Sequence, residues 1–588
     1  MNTALLSKAR ALLAPHSFRL HLAAWVCCAL AAWWVWPPAL TALVEKSPDP
    51  RPVTMPHQFK VGQPSYVVEG KLEVGLRGVP HLTVVADDCL QSVSVDGASV
   101  YTTKCSPCET CAYKRVKLPP LTRGAHDIQL VVVDYGVAAA LDIRQGDGVT
   151  TLALLVWLLG GLLVFVLSAR RGVPMAYAWL GGLALVLVTY YHLCTSSDLR
   201  QHDVGGHKEY ITHLLAHGTL PRVQQGWETW QPPLYYWLAA QFSRATTWLL
   251  ASADVHRRVQ VMSSLMYVAV VWGGILSWRR LGFTGTRGWL GLALLVGLPA
   301  HVFLSGRVNN DAIGPLMGMV LTLLGWDYWQ RGRKRTAAVL GVVLLACIMA
   351  KTSQVSLAAA VGLLVLLRDH LDARGLVQRA VRAALVGVPG LAWLAFWFHR
   401  NKEQTGEWMY VNANLQDSLK VTNNAFKYLW FDIPSFLSEA SFTTFGGKMR
   451  DSYATALAAS SLTGEWGHEW VGTLQTFLRA AYLPVLVLLA LGLILRPRPW
   501  QKRPWAVAVL LVGVHAVFMI SYNWRYSYAC NEDARLWSPV YFPLAVLWGW
   551  GQEEALERTR GRLRSAVVAA PVVFLLVLAG FWWRFLLP

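Results

Sequence analysis

Long apolar runs separated by short polar segments occupy most of the chain. A helix needs roughly 20 apolar residues to cross a bilayer, and runs near that length recur from the first fifty residues to the last thirty. Two parts differ: in residues 45–147 the apolar runs are short, and residues 196–255 form a polar break between two apolar runs. The pattern predicts a polytopic α-helical membrane protein with about thirteen transmembrane helices.

The predicted spans divide the chain into five parts. Residues 1–44 hold an N-terminal tail and the first span, 45–147 a β-rich domain, and 148–398 a transmembrane core that includes the first outer loop, 196–255. Residues 399–475 form a long outer loop, a possible lid, and 476–588 hold the last helices. The spans are expected at about 21–44, 149–168, 176–194, 256–278, 284–305, 312–329, 336–350, 353–367, 381–398, 476–495, 504–521, 537–551 and 565–583.

Charge fixes the expected orientation of these spans. Segments such as RRGVP, QRGRKR and RPRPWQKR are rich in Arg and Lys, whereas the alternate segments hold most of the Asp, Glu, Asn and His. Because Arg and Lys are retained in cytoplasmic loops, we expect a cytoplasmic N-terminus. The net charge of +19 also fits an anionic lipid or phosphate ligand. The basic residues are scattered over short loops, which argues against nucleic acid.

Residues 45–147 predict a small extracytoplasmic β-sandwich inserted after the first helix. Segments such as SYVVEGKLEVGL have the alternation of strands, and Asp96-Gly97 between two such segments is typical of a hairpin. Two roles are open for this domain: a carbohydrate-binding module or a structural insertion.

Four of the nine cysteines lie in this domain, and three interpretations of them are open. Disulfides fit the even count and an oxidising compartment, four thiolates suit a structural zinc site, and free thiols are the third possibility. Cys194 and Cys530 lie near outer span ends and could pair. The four cysteines of the domain are Cys89, Cys105, Cys108 and Cys111.

The polar break begins with HDVGGHKEYITHLLAHGTLP. If residues from about 204 are helical, one stripe carries Asp203, His207, Tyr210, Leu214 and His217. This is compatible with a plain amphipathic helix at the membrane interface. A carboxylate at the mouth of a span, with a histidine one turn away, can also act as a general base or help to hold a metal.

The segment QGWETWQPPLYYWLAAQF follows. Pro232-Pro233 cannot lie inside a helix but can start one, and the aromatic residues after them suit an interfacial helix. Glu228 stands between two tryptophans. An apolar setting raises the pKa of a carboxyl group or requires a partner for it.

Five motifs in order resemble the GT-C glycosyltransferases that use polyprenyl-phosphate sugars, a branch that includes protein O-mannosyltransferases and the lipid A aminoarabinose transferase. The first is D-x3-H-x2-Y-x3-L-x3-G-x-LP with QPPLYYWLAA. The others are SGRVNNDAIGPLMGMVLTLL, VVLLACIMAKTSQVSLAAAVGLLVLL, FWFHRNKEQTGEWMYVN and NEDARLWSPVYFPLAVLWGWG, and together they cover about 176–552. The resemblance implies that Asp203 is the loop acid of the family and its general base.

One position departs from the family pattern. Relatives of the aminoarabinose type have a Lys before Pro-Pro-Leu that meets the lipid phosphate, whereas this chain has Gln231. Another residue must therefore bind the lipid phosphate, or the phosphate must be bound in a different way. Four basic residues predicted at or near the outer face are candidates, although such residues also simply reach lipid headgroups. They are Arg307, Lys351, Arg525 and Arg535.

The expected activity is an inverting transfer of a hexosyl or pentosyl group from a polyprenyl-phosphate donor to a glycan, lipid or protein acceptor at the periplasmic face. The phosphate leaving group needs charge stabilisation from basic residues or a divalent cation. Asn310 and Asp311 could bind a metal or the acceptor, or Asp311 could cap a helix. The alternative is a non-enzymatic transporter or flippase of lipid-linked glycan, although transporters place ionisable residues near mid-span. The other expected substrate contacts are His207, Tyr210, Glu228 and Gln231.

Overall fold

The computed structural model divides the chain into two compact units, one drawn mainly from the first 170 residues and one from residues 171–586. Each is described by itself. The residues described are 39–46, 51–52, 57–58, 65–74, 81–86, 89–103, 112–133, 140–143, 174–194, 203–247, 255–284, 287–371, 375–408, 410, 420–438, 451–463, 472–495 and 504–586.

The first unit is built from two antiparallel sheets, as predicted for residues 45–147. The six-stranded sheet has the order β2-β1-β4-β9-β6-β7 and the four-stranded sheet the order β3-β10-β5-β8. Alternate residues of both sheets enter one apolar core, for example Val68, Leu130 and Val84. The strands are β1 Ala39–Glu45, β2 Arg51–Pro52, β3 His57–Gln58, β4 Ser65–Val74, β5 His81–Ala86, β6 Cys89–Val95, β7 Ala98–Thr102, β8 Ala112–Lys117, β9 Gly124–Val133 and β10 Ala140–Ile143.

Strand β1 corrects the predicted end of the first span. The span was expected to reach Val44, but Ala39–Glu45 pairs with β4, with Leu40 opposite Leu72. A short apolar run such as ALTALVE satisfies a strand as well as a helix, and here the ladder with β4 decides. The rest of that span, and the predicted span 149–168, lie outside the described residues.

The structure tests only part of what was predicted for the cysteines. Cys89 is buried at the start of β6 and is disulfide-bonded, while Cys105, Cys108 and Cys111 lie outside the described residues, so the partner of Cys89 and the state of the other cysteines stay predictions. Cys530 is a thiol that donates to the Asn531 side chain at 3.9 Å. The suggested Cys194–Cys530 disulfide is therefore not formed.

The Asp96-Gly97 hairpin is confirmed, and an ion pair anchors it. Both turn residues have positive φ, 48° and 75°, as a two-residue hairpin turn requires. The Asp96 carboxylate contacts His126 Nδ1 at 2.6 Å and accepts from the Asp127 N–H at 2.8 Å, while His126 Nε2 lies 2.8 Å from the Thr122 carbonyl. Because both ring nitrogens face acceptors, the imidazole is held in its doubly protonated form.

We expect this pair to make the hairpin sensitive to pH. Hydrogen bonds to Asp96 and Thr122 raise the pKa of His126, and the bond from His126 lowers the pKa of Asp96. The stabilisation is therefore complete below the ordinary histidine pKa of about 6.5 and is lost as pH rises through the raised value. Amide hydrogen exchange at β6 and β7 in the full chain, corrected for intrinsic rates, should accelerate above neutral pH. The variant His126→Gln should lack this dependence; equal profiles would contradict it.

The second unit is helical. Among the described residues, six helical segments are long and apolar enough to cross a membrane, namely Val255–Leu281, Thr352–Leu371, Leu376–Thr405, Leu474–Ile494, Trp505–Arg525 and Gly561–Trp582. They support an integral membrane protein. The helices are α1 Met175–Cys194, α2 Val204–His217, α3 Leu234–Ala245, α4 Val255–Ser277, α5 Trp289–Gly297, α6 Pro299–Leu304, α7 Gly314–Arg331, α8 Lys334–Ala350, α9 Val355–Leu371, α10 Leu376–Thr405, α11 Ile433–Ser438, α12 Tyr453–Thr463, α13 Gly472–Ile494, α14 Trp505–Arg525, α15 Tyr541–Arg558 and α16 Gly561–Leu586.

Each predicted span from 176 onward falls on a helix, but two of them are broken. The span 284–305 is interrupted at Leu298, whose extended ψ of 120° precedes Pro299, as the residue before a proline prefers. In the span 537–551, residues 534–540 form a 3₁₀ helix before α15 begins. A Cβ on Gly318 would lie 1.7 Å from the Pro539 carbonyl oxygen, so α7 packs directly against this irregular segment.

The long loop predicted at 399–475 is shorter than expected. Helix α10 continues to Thr405 because its residues keep a helical pattern up to Gly406, which ends it with a φ of 81°. Helix α12 is buried along most of its length and contacts α6 and residues 534–540. This part of the segment is an internal helix; the lid role stays a prediction for the remainder.

Candidate active site

Segments more than 300 residues apart in sequence meet in one polar cluster of the helical unit. Arg535 lies within electrostatic range of Asp203 and Asp311. Glu228 lies within range of Asp203, Lys351 and Arg535. The cluster therefore combines three carboxyl groups with two cations, all of which were candidates from the sequence.

Asp203 stands at the start of α2 in a left-handed conformation, with φ 55° and ψ 19°. Aspartate is one of the few side chains that adopts this region readily. Its carboxylate does not cap α2; instead Oδ1 accepts a hydrogen bond of 3.0 Å from Trp227 Nε1. The side chain is exposed, so the carboxylate is accessible from outside the protein.

Glu228 lies in the loop that packs against α2, and it is only 6% exposed. Burial, followed by the nearby Asp203 charge, raises the pKa of Glu228 to about 8, which confirms the effect predicted from its apolar setting. Its Oε2 has no hydrogen-bond partner among the described residues. A Cβ on Gly206 would lie 2.9 Å from Glu228 Cγ and 3.0 Å from Trp227 Cβ, so the glycine allows the loop to approach the helix.

The middle of the predicted stripe of α2, at His207 and Tyr210, faces the protein, whereas Asp203 and His217 at its two ends are exposed. His207 Nδ1 lies 2.8 Å from the Tyr236 hydroxyl, and Tyr210 stacks on Tyr236 with ring centroids 4.0 Å apart. Burial, followed by the Lys351 charge, lowers the pKa of His207 to about 3, so the imidazole is neutral. The interpretation of α2 as a plain amphipathic helix with water-facing polar residues is therefore wrong for His207 and Tyr210.

Gln231, the residue before Pro232-Pro233, connects two parts of the cluster. Its Oε1 accepts from Asn310 Nδ2 at 3.3 Å, and its carbonyl accepts from the Tyr210 hydroxyl at 3.4 Å. Pro233 caps α3, which begins at Leu234 as predicted. In this chain the position ties the first loop to the segment that carries Asp311.

Asp311 and Lys351 form a buried ion pair, with side chains 4% and 13% exposed. Burial alone would raise the pKa of Asp311, but Lys351 and Arg535 hold it below its ordinary value. Lys351 stands at the tip of the α8–α9 hairpin, as predicted. The helix-cap alternative for Asp311 is wrong, because Asn309 provides the cap by accepting from the Asp311 N–H at 2.6 Å.

The four basic candidates occupy different environments. Arg307 is 3% exposed, and its Nε and Nη1 have no hydrogen-bond partner among the described residues. Arg535 is also buried; burial alone would lower its pKa, but Asp311 and Asp533 hold it above its ordinary value. Arg525 is exposed at the end of α14, and no described residue forms an ion pair with it. Arg307 is thus the buried cation that most needs an anion.

The described side chains offer little to a metal ion. Within the described ranges, no group of three or more His, Cys, Asp or Glu residues is placed to hold one. Beside Asp311, the position that a cation would take is held by the Lys351 ammonium group. The expected divalent cation stays a prediction.

Three residues of the site were not foreseen: Gly206, Trp227 and Tyr236. Gly205-Gly206 inside a helical pattern disfavours a helix, and such a glycine indicates close approach of another segment. The sequence therefore contained a signal for Gly206. It contained none for Trp227 and Tyr236, the partners of Asp203 and His207, because aromatic side chains in QGWETWQPPLYYW can face either the membrane or the protein.

Comparison with known proteins adds no assignment: no protein-family model matches the chain, and no curated protein matches it significantly.

Proposed function

We propose that the protein is a membrane glycosyltransferase of the GT-C type, which moves a sugar from a polyprenyl-phosphate donor to an acceptor hydroxyl or amine at the periplasmic face of a bacterial inner membrane. The main support for the proposal is that the accessible carboxylate of Asp203 lies in one cluster with the buried cations Lys351 and Arg535, which come from other motifs of the chain. A reaction that removes a proton from one substrate and releases phosphate from the other needs both groups.

In the proposed reaction, Asp203 takes the proton of the acceptor hydroxyl. The acceptor oxygen forms a bond to the anomeric carbon, and the bond between that carbon and the phosphate oxygen breaks with its electron pair left on the phosphate. The products are the glycosylated acceptor and polyprenyl monophosphate. Since one displacement occurs, the anomeric configuration is inverted.

The leaving phosphate gains negative charge, and Arg307 is the proposed ligand for it. Its guanidinium is buried with two nitrogens unpartnered among the described residues, and an uncompensated charge of this kind is costly unless an anion joins it. A planar guanidinium also suits bidentate binding of phosphate. Lys351 and Arg535 already neutralise carboxylates, so in this proposal they set the field around the phosphate.

Glu228 is proposed to act as a neutral acid that donates a hydrogen bond to substrate. Because its pKa is raised to about 8, the proton is present below that pH and is lost as pH rises through it. We expect kcat/KM for transfer to fall above about pH 8. The variant Glu228→Gln, whose amide still donates, should keep most of the activity and lose this alkaline decline. A decline that persists unchanged in Glu228→Gln would contradict the assignment.

The proposal is tested with the purified full chain in lipid nanodiscs. Polyprenyl-phosphate hexoses and pentoses with labelled sugar are supplied, with sugar nucleotides as negative controls, and release of polyprenyl phosphate is followed. Release from the lipid donors, dependent on Asp203, supports a transferase. In sealed proteoliposomes, movement of the donor between leaflets without release would instead support the transporter alternative.

A further inference from the structure

A second cleft lies beside the loop that carries Glu228. It has a volume of about 400 Å³ and is walled by α2 and by residues 221–229. This volume lies within the range of small-ligand sites. Its lining residues are Lys208, Glu209, Thr212, His213, Pro221, Gln225, Gly226 and Thr229.

Hydrogen bonding in this cleft fixes the state of His213. The Arg222 N–H donates to Gln225 Oε1 at 3.1 Å, which directs the amide nitrogen of Gln225 to His213 Nδ1, 3.2 Å away. Nδ1 is therefore an acceptor and the proton of the neutral ring is on Nε2. Burial, followed by the nearby His217, lowers the pKa of His213, which favours this neutral form.

The Nε2–H of His213 is thus a donor without a partner. The atom is buried, and no described residue accepts from it. A buried donor left without an acceptor is destabilising, so it points to an acceptor atom supplied by a ligand. The cleft wall also carries carboxylate, ammonium and hydroxyl groups.

Glu209 is brought over the floor of the cleft by Gly226. A Cβ on Gly226 would lie 2.9 Å from Glu209 Oε2, so any larger residue would displace that carboxylate. The neighbour of Gly226, Trp227, is 37% exposed and hydrogen-bonds Asp203. One short loop therefore joins the cleft wall to the proposed general base.

We propose that this cleft binds a saccharide, and that the saccharide is the acceptor of the proposed transfer. Sugar hydroxyls both donate and accept, so they match a wall in which His213 Nε2–H donates and the Glu209 carboxylate accepts. The role of the saccharide as acceptor rests on the proposed function, whereas saccharide binding is inferred from the cleft alone.

Binding is tested by saturation-transfer NMR on the full chain in nanodiscs. The probes are maltose, di-N-acetylchitobiose and a uronic-acid disaccharide, with an unglycosylated Ser/Thr peptide beside them. We expect at least one disaccharide to bind, His213→Ala to raise its Kd about tenfold through loss of a hydrogen bond, and Thr212→Trp to abolish binding by filling the cleft. His370→Ala, an exposed histidine on α9 that lies outside the cleft lining, is the matched control and should leave the Kd unchanged.

The outcomes separate the cleft from the reaction. Saccharide binding in the cleft would be contradicted if no disaccharide bound or if only the peptide bound. It would also be contradicted if binding survived in Thr212→Trp. If transfer occurs, His213→Ala should raise the KM for acceptor about tenfold and leave the KM for donor and kcat unchanged. An unchanged acceptor KM would overturn the assignment as acceptor site while the transferase stands. Disaccharide binding without any transfer would support saccharide binding in the cleft but contradict the proposed function.

Discussion

Replacing Asp203 by asparagine is expected to lower kcat for sugar transfer by about 10²–10⁴-fold, the range typical for loss of a general base. Asparagine keeps the shape of the side chain, adopts the left-handed conformation of this position readily, and can still accept from Trp227 Nε1. The fold should therefore be preserved, and the loss should reflect the missing basicity. The measurement is transfer from a labelled polyprenyl-phosphate sugar at saturating donor, with thermal unfolding recorded for both proteins.

A matched variant separates the carboxylate from its position. Trp227→Phe removes the 3.0 Å hydrogen bond to Asp203 but leaves the base in place, so its effect should be much smaller than that of Asp203→Asn. Because Trp227 is partly exposed, this change should not unfold the loop. Turnover at the wild-type rate by Asp203→Asn would remove this residue from the mechanism.

Breaking the Asp311–Lys351 pair is expected to be the largest single effect on stability. Removal of one member of a buried ion pair leaves the other charge uncompensated and costs about 3–5 kcal/mol. Lys351→Met should therefore lower the thermal midpoint strongly, and Asp311→Asn should do the same. The double variant removes both charges and should recover much of the loss, so the two single effects should not add.

The double variant also tests the functional role of the pair. If Lys351 shapes the field around the phosphate, the refolded double variant should remain defective in transfer although its thermal midpoint is restored. Arg331→Met is a suitable control, because Arg331 pairs with Asp327 while half exposed and such pairs contribute little. Additive losses in the two single variants would show that the charges do not interact.

Sequence patterns predicted the helical elements well and the site unevenly. The helix after Asp203, the helix start after Pro232-Pro233 and the hairpin tip at Lys351 were all predicted, because each depends on local signals such as periodicity and proline. The end of the first span was not, because seven apolar residues fit strand and helix equally and only pairing with β4 distinguishes them.

The differences among the basic candidates lay beyond the sequence. Arg307, Lys351, Arg525 and Arg535 look alike in the chain, yet one is buried without a described partner, two neutralise carboxylates and one is exposed. Which state each adopts depends on contacts with other segments; the partner of Lys351, for example, is 40 residues away in the chain. For Asp311 the deciding geometry is local, because Asn309 caps the same turn.

The close packing of residues 534–540 against α7 has a consequence for biosynthesis. Arg535 follows Asp203 by more than 300 residues, and at about 5–20 residues per second the ribosome supplies the carboxylates several tens of seconds before this cation. During that interval the first loop and the Asp311 segment are present without Arg535, and the surface around Gly318 lacks the backbone that will cover it. The cluster is completed only when nine-tenths of the chain has been made, so a chain truncated before residue 535 would be inserted in the membrane with its charges unbalanced.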